Sequence, residues 1–75
     1  STENVGANGE TELSDRELEV LRLLVQGHDY KIIADKLFLS AHTVRKHIAN
    51  IYSKLQVSSK AQAINLVHKK KWFDI

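Results

Sequence analysis

The chain has 75 residues, no cysteine and a formal net charge of +2. A domain of this size buries only about 60% of the surface its unfolded chain exposes, and without thiols it has neither a disulfide framework nor a thiolate zinc site to brace it. No apolar run approaches the roughly 20 residues that span a bilayer and no signal-peptide hydrophobic region is visible, so the chain reads as soluble and cytoplasmic, with no membrane partner.

Residues 1–12, STENVGANGETE, carry Glu3, Glu10 and Glu12 and no base, and Val5 is their one sizeable apolar side chain. They cannot build a core, and are expected to be a disordered tail or interdomain linker ahead of a folded domain over 13–75. The sequence lacks methionine, so Ser1 is either a processed start or the first residue of a segment from a longer protein. The second is expected, which makes the tail an interdomain tether.

The first helix is expected at about 15–26. In Leu13-Ser14-Asp15-Arg16-Glu17-Leu18, Ser14 can cap the Glu17 amide while Glu17 reaches back to that of Ser14, and Leu13 can staple onto Leu18. Leu18, Leu21, Leu24 and Val25 follow at helical spacing, and Gly27 stands where a left-handed residue ends a helix. A second helix, about 30–37, starts after Asp29 and buries Ile33, Ala34 and Leu37, with Ile32 to one side. Phe38, Leu39 and Ser40 separate it from a third, about 41–56, which is capped by Ser40 and some 24 Å long at about 1.5 Å per residue. Val57 and Ser58 form a break. Ser59 with Gln62 repeats the capping-box pattern and opens a fourth helix, about 60–70, carrying Ala63, Ile64, Leu66 and Val67. Nothing alternates with a strand's period, so the fold class is all-α with four helices.

The charge is unevenly spread. Residues 13–75 hold all eleven bases and six acids, and no Asp or Glu occurs from Lys36 to Phe73. On the third helix Val44, Ile48, Ile51 and Leu55 fall in one sector about 60° wide, bordered by Tyr52, by the geometry of about 100° per residue. The opposite side centres on His42, Lys46, Ala49 and Ser53, flanked by Arg45, Thr43 and Asn50. Exposed helices ordinarily gain from pairs of opposite charge; this one has cations and no carboxylate. Two helices joined by three residues, the second offering a basic face of short side chains, make a helix-turn-helix whose second helix enters the DNA major groove. The Ala49 methyl lets that helix approach base edges, and the amides at the Ser40 end suit a phosphate.

Leu13-Ser14, Arg16-Glu17, Glu19-Val20-Leu21, Gly27, Lys31, Ile33-Ala34, Leu37, Leu39-Ser40, Thr43-Val44-Arg45, His47, Asn50-Ile51, Lys54-Leu55, Val57 and Gln62-Ala63 resemble the LuxR-type (NarL/FixJ-like) helix-turn-helix domain of bacterial transcription regulators over residues 13–73. The resemblance implies a double-stranded DNA partner read by the third helix, a homodimer on DNA through the fourth, and a receiver or ligand-binding domain upstream. It implies base contacts from Arg45, Lys46 and the position of Ala49, and phosphate contacts from Lys31, Thr43 and Asn50. Ser40, His42 and Lys54 complete the expected phosphate set, and Ile64, Leu66 and Val67 the expected dimer face; RNA polymerase is a further candidate partner. Three residues depart from the family pattern. Tyr30 replaces a frequent Asn, Ile32 a frequent Glu, and Lys71 a Gly that often ends the fourth helix, so that helix is expected to end differently or run longer.

Taken singly, Arg45 and Lys46 are either base contacts or solvated cations, and Lys31, Lys54 and Lys60 are phosphate contacts or nothing. Four histidines, His28, His42, His47 and His68, lack metal-ligand spacing, so no metal, cofactor or small-molecule ligand is expected. His47 borders the core stripe and is expected to pack. Lys69, Lys70 and Lys71 suit the negative end of a helix dipole, with a DNA or partner contact as the alternative, and Trp72 and Phe73 are expected to close the core, with a dimer seam as the alternative. No nucleophile, base and orienting acid stand at meaningful spacing, so no enzyme is expected. Two rival readings are a small protein-interaction module built on the fourth helix and the Trp72-Phe73 end, and a sigma-factor-like promoter reader.

Overall fold

The computed structural model describes residues 12–73, and each of the four helices in that range begins on the side chain expected to cap it. The tail expected over residues 1–12 lies outside the described residues, Glu12 excepted. Helix α1 (Asp15–Val25) opens with a complete capping box. Ser14 Oγ accepts from the Glu17 amide at 3.1 Å, and the Ser14 amide donates to Glu17 Oε1 at 2.9 Å. Helix α2 (Tyr30–Leu37) starts on Asp29, whose carboxylate accepts from the Ile32 amide at 3.0 Å. Helix α3 (Ala41–Leu55) starts on Ser40, which accepts from the Thr43 amide and donates to the Thr43 hydroxyl.

Helix α4 (Lys60–Lys70) departs slightly from expectation. Ser59 Oγ caps the Gln62 amide, but the Gln62 side chain accepts from the Ser58 amide at 2.7 Å instead of that of Ser59. The Ser59 backbone is more extended than that of Ser14, with φ −152° against −71°, and this presents the preceding amide to Gln62.

All four helices end the same way. The amides of His28, Leu39, Val57 and Trp72 each donate to the carbonyl five residues back, the closing bond of a Schellman motif. That motif needs one left-handed residue, and Gly27 (φ +103°) supplies it after α1. Phe38, Gln56 and Lys71 supply it elsewhere at φ +55° to +59°. Gln26 and Gln56 are therefore caps, and α1 and α3 each stop one residue before the expected boundary. Lys71 takes the left-handed conformation itself, so α4 ends at Lys70 and neither runs on nor ends by another route.

Helix α1 is the hub, packing on α2, α3 and α4, while α2 also packs on α3. Val20, Leu21 and Leu24 of α1 meet Ile33 and Ala34 of α2, Val44 and Ile51 of α3 and Val67 of α4. Leu13 closes one end and Trp72 the other, both buried. Leu18, Val25, Leu37, Ile48, Tyr52, Leu55, Leu66 and Phe73 pack partly exposed around this centre, and Ile32 points outward as expected. Among the described residues no helix is long and apolar enough to cross a membrane.

Candidate nucleic-acid interface

The two faces of α3 separate as its periodicity requires. Val44 and Ile51 are fully buried, with Ile48, Tyr52 and Leu55 packed beside them. On the far side His42, Arg45, Lys46, Ala49, Asn50 and Ser53 are exposed, and Thr43 and His47 are half-buried at the edges. No neighbouring helix covers Lys46 or Ala49. The inner face anchors the helix through α1 and α2, so the polar face projects as a rigid ridge. Among the described residues no carboxylate lies within ion-pair distance of Arg45 or Lys46, and their charges stay available to an outside anion.

The turn before α3 has a left-handed Phe38, a half-buried Leu39 and the capping Ser40. Phe38 is 95% exposed. Ser40 is exposed at the start of the ridge, and Lys31 is exposed in the first turn of α2. The flank of α2 reaches the ridge directly, because Arg45 Nη2 donates to Tyr30 Oη at 2.6 Å and the guanidinium carbon lies 4.3 Å from the Tyr30 ring centroid.

Lys54 stands apart from the other expected phosphate contacts. Its Nζ donates to Glu17 Oε1 at 2.8 Å and to the Glu12 carbonyl at 3.4 Å, tying the last turn of α3 to the start of α1. Burial pushes the Glu17 carboxyl up. The hydrogen bonds from Lys54 and Ser14 and the lysine's charge outweigh it, and the net result lies below the ordinary glutamate value. On α4 the expected dimer residues divide. Val67 is 1% exposed and belongs to the chain's own core, so it has no surface to give a second copy, although it shares the apolar stripe of α4 with Ile64 and Leu66. Leu66 rests partly on the core, and Ile64 is half-buried outside it.

Sequence reasoning missed the Glu17–Lys54 and Tyr30–Arg45 contacts. The partners lie 37 and 15 residues apart, and only the crossing of the helices brings them together. The one signal was indirect: Lys54 closes a helix with no acid of its own, and Tyr30 is an aromatic at the exposed start of α2.

The chain's residues 11–67 match the family model described as bacterial regulatory proteins, luxR family. It is 45% identical over 62 residues to the oxygen regulatory protein NreC of Staphylococcus haemolyticus, covering 83% of this chain and 29% of that protein. It is 46% identical over 57 residues to the transcriptional regulatory protein LiaR of Bacillus subtilis, covering 76% of this chain and 27% of that protein. The chain thus spans less than a third of the length of these curated relatives. With four helices among the described residues, a helix-turn-helix at α2 and α3 and a match over most of its length, the chain belongs to the luxR family of bacterial regulatory proteins, a family of transcription regulators and not of enzymes.

Proposed function

We propose that residues 13–75 are the DNA-binding domain of a cytoplasmic bacterial transcription regulator, a response regulator of a two-component system, joined through residues 1–12 to a sensory or receiver domain. Helix α3 enters the major groove of double-stranded DNA. Arg45 and Lys46 read base edges, and Ala49 gives close approach. Lys31, Ser40, His42, Thr43 and Asn50 fix the register on phosphates, and Lys54 has one N–H left over after its bonds to Glu17 and the Glu12 carbonyl. Two copies sit on adjacent half-sites through Ile64 and the exposed part of Leu66, and RNA polymerase is the further partner of the assembled regulator. The observation that carries this reading is the exposed, acid-free ridge of α3 backed by a fully buried stripe. The similarity to NreC and LiaR, each named as a regulatory protein, supports it.

The test is a titration of a random duplex and of a duplex selected from random oligonucleotides, at two salt concentrations. Affinity falls steeply with salt on both, by about 0.9 in the logarithmic slope for each phosphate neutralised. Lys46→Ala weakens the selected duplex by about tenfold and the random one far less, as the loss of a base contact worth about 1–3 kcal/mol requires. Equal losses on both duplexes demote Lys46 to a phosphate contact, and binding to neither in low salt sinks the reading.

A further inference from the structure

Two exposed cations of α3 are held by another helix, Lys54 by Glu17 and Arg45 by Tyr30, and Arg45 is the one on the ridge. Two interactions hold it, the short hydrogen bond to the Tyr30 hydroxyl and the stacking of the guanidinium over the ring. A guanidinium carries five N–H donors, all in its plane. The hydroxyl takes one N–H and the side chain is exposed, so most of its donors stay open.

The kind of holder matters. Lys54 is held by a carboxylate, which cancels its charge. An acid beside Arg45 would fix the side chain equally well but would neutralise it and repel a phosphate. A tyrosine ring holds a cation through its quadrupole and leaves the full positive charge in place. Asp29, next to Tyr30 in sequence and lining the same hollow, turns one carboxylate oxygen to the Ile32 amide and makes no ion pair with Arg45. Beside the pair lies an open hollow of about 300 Å³, lined also by Leu24, Ile48 and Tyr52, into which an unheld arginine could fold.

We propose that Tyr30 is a positioning residue for DNA recognition: it stacks on Arg45 in the free protein, so that the guanidinium meets the duplex with its conformation already chosen and its donor edge exposed. The proposal rests on the reading of α3 as the groove-entering helix. An arginine ordered only on binding loses affinity to that ordering, whereas one restrained beforehand does not. Tyr30 therefore sharpens recognition by Arg45 without itself reading a base.

A double-mutant cycle on the 75-residue chain tests this. Tyr30→Leu keeps apolar bulk and removes the π face and hydroxyl; it weakens binding to the selected duplex by about three- to tenfold. Tyr30→Phe keeps the face and costs about twofold. In an Arg45→Ala background Tyr30→Leu costs nothing further, because the residue acts through Arg45. An equal loss with and without Arg45 overturns the proposal, leaving Tyr30 as an independent DNA contact or a packing residue. A readout without DNA separates this from the function itself: in NMR spectra the ring current of Tyr30 displaces the Arg45 side-chain resonances. Tyr30→Leu and not Lys46→Ala returns them toward free-arginine positions. Resonances unmoved by Tyr30→Leu overturn the pairing whatever the DNA result. Shifted resonances in a wild-type chain that binds no duplex overturn the DNA reading, and the proposal with it, while leaving the contact standing.

Discussion

Glu17 accepts hydrogen bonds from the Ser14 amide at 2.9 Å and the Lys54 ammonium at 2.8 Å, and it is 5% exposed. Its folded-state affinity for a proton is below that of the unfolded chain, because burial, which works the other way, is outweighed by these donors. A carboxyl depressed in this way contributes stability that is fully present above the ordinary glutamate value of 4.5 and is lost as the pH falls below it, through the folded-state value. Acid unfolding followed by the fluorescence of the buried Trp72 therefore steepens below that value in the wild type and flattens in Glu17→Gln. At neutral pH the same variant loses about 1–2 kcal/mol, at the low end for a hydrogen bond to a charged group because Lys54 is partly solvated. Parallel acid curves for the two proteins acquit Glu17. Lys54→Met lowers stability to a similar extent while leaving the salt slope of DNA binding unchanged; a slope reduced by about 0.9 instead returns Lys54 to the phosphate contacts.

The helix ends show what each element takes from its own sequence. Starts were legible because an N-cap is a local signature, a Ser or Asp bonded to an amide three residues on, and all four were read at the right residue. Stops were legible to within one residue, α2 and α4 ending at the expected residue and α1 and α3 one before it, but the left-handed residue that makes each stop was announced only by Gly27. Phe38, Gln56 and Lys71 have side chains that ordinarily avoid positive φ, and nothing in their identity announces the closing Schellman hydrogen bonds that hold the backbone there. An L-residue in that region costs roughly 1–2 kcal/mol, of which glycine recovers part after its greater unfolded-state entropy is subtracted. Phe38 gives the cleanest test, since its ring is 95% exposed and substitution forfeits almost no burial. Phe38→Gly is expected to stabilise the domain by about 0.5–1 kcal/mol, raising the melting temperature by a few degrees, roughly 4–8 °C per kcal/mol in a domain this small. A fall in melting temperature means the ring makes a contact the backbone argument omits. The apolar stripes were equally legible, because helical periodicity alone selects Leu21, Leu24, Ile33, Val44 and Ile51. Val67 shows the limit: the stripe of α4 looks the same whether it faces α1 or a second copy, and only the packing of the four helices decides.

At the scale of the whole molecule every acid but Asp74 lies at or before Asp35, while α3 and α4 carry cations alone. One such domain covers about 600–1,000 Å² of a duplex, which supports only weak specific binding. Two copies in direct contact gain by sharing one duplex, and the contact fixes where the second half-site must lie. Ile64 suits that contact because it is half-buried, lies outside the core cluster, and is free of the packing that commits Val67. Half-sites centred about 10–10.5 base pairs apart place both copies on one face of the DNA. The chain is expected to bind such a duplex cooperatively and a single half-site weakly. An insertion of about 5 base pairs turns the second site to the opposite face. An insertion of a full turn restores the face but moves the site about 34 Å further along the duplex, beyond the reach of a direct contact. Both insertions therefore abolish cooperativity, and Ile64→Gln does so without an insertion while leaving single-site affinity intact. Cooperativity that survives the full-turn insertion means the coupling runs through the DNA and not through α4. Equal affinity for one half-site and two means the isolated domain acts singly, and that pairing belongs to whatever the rest of the protein supplies.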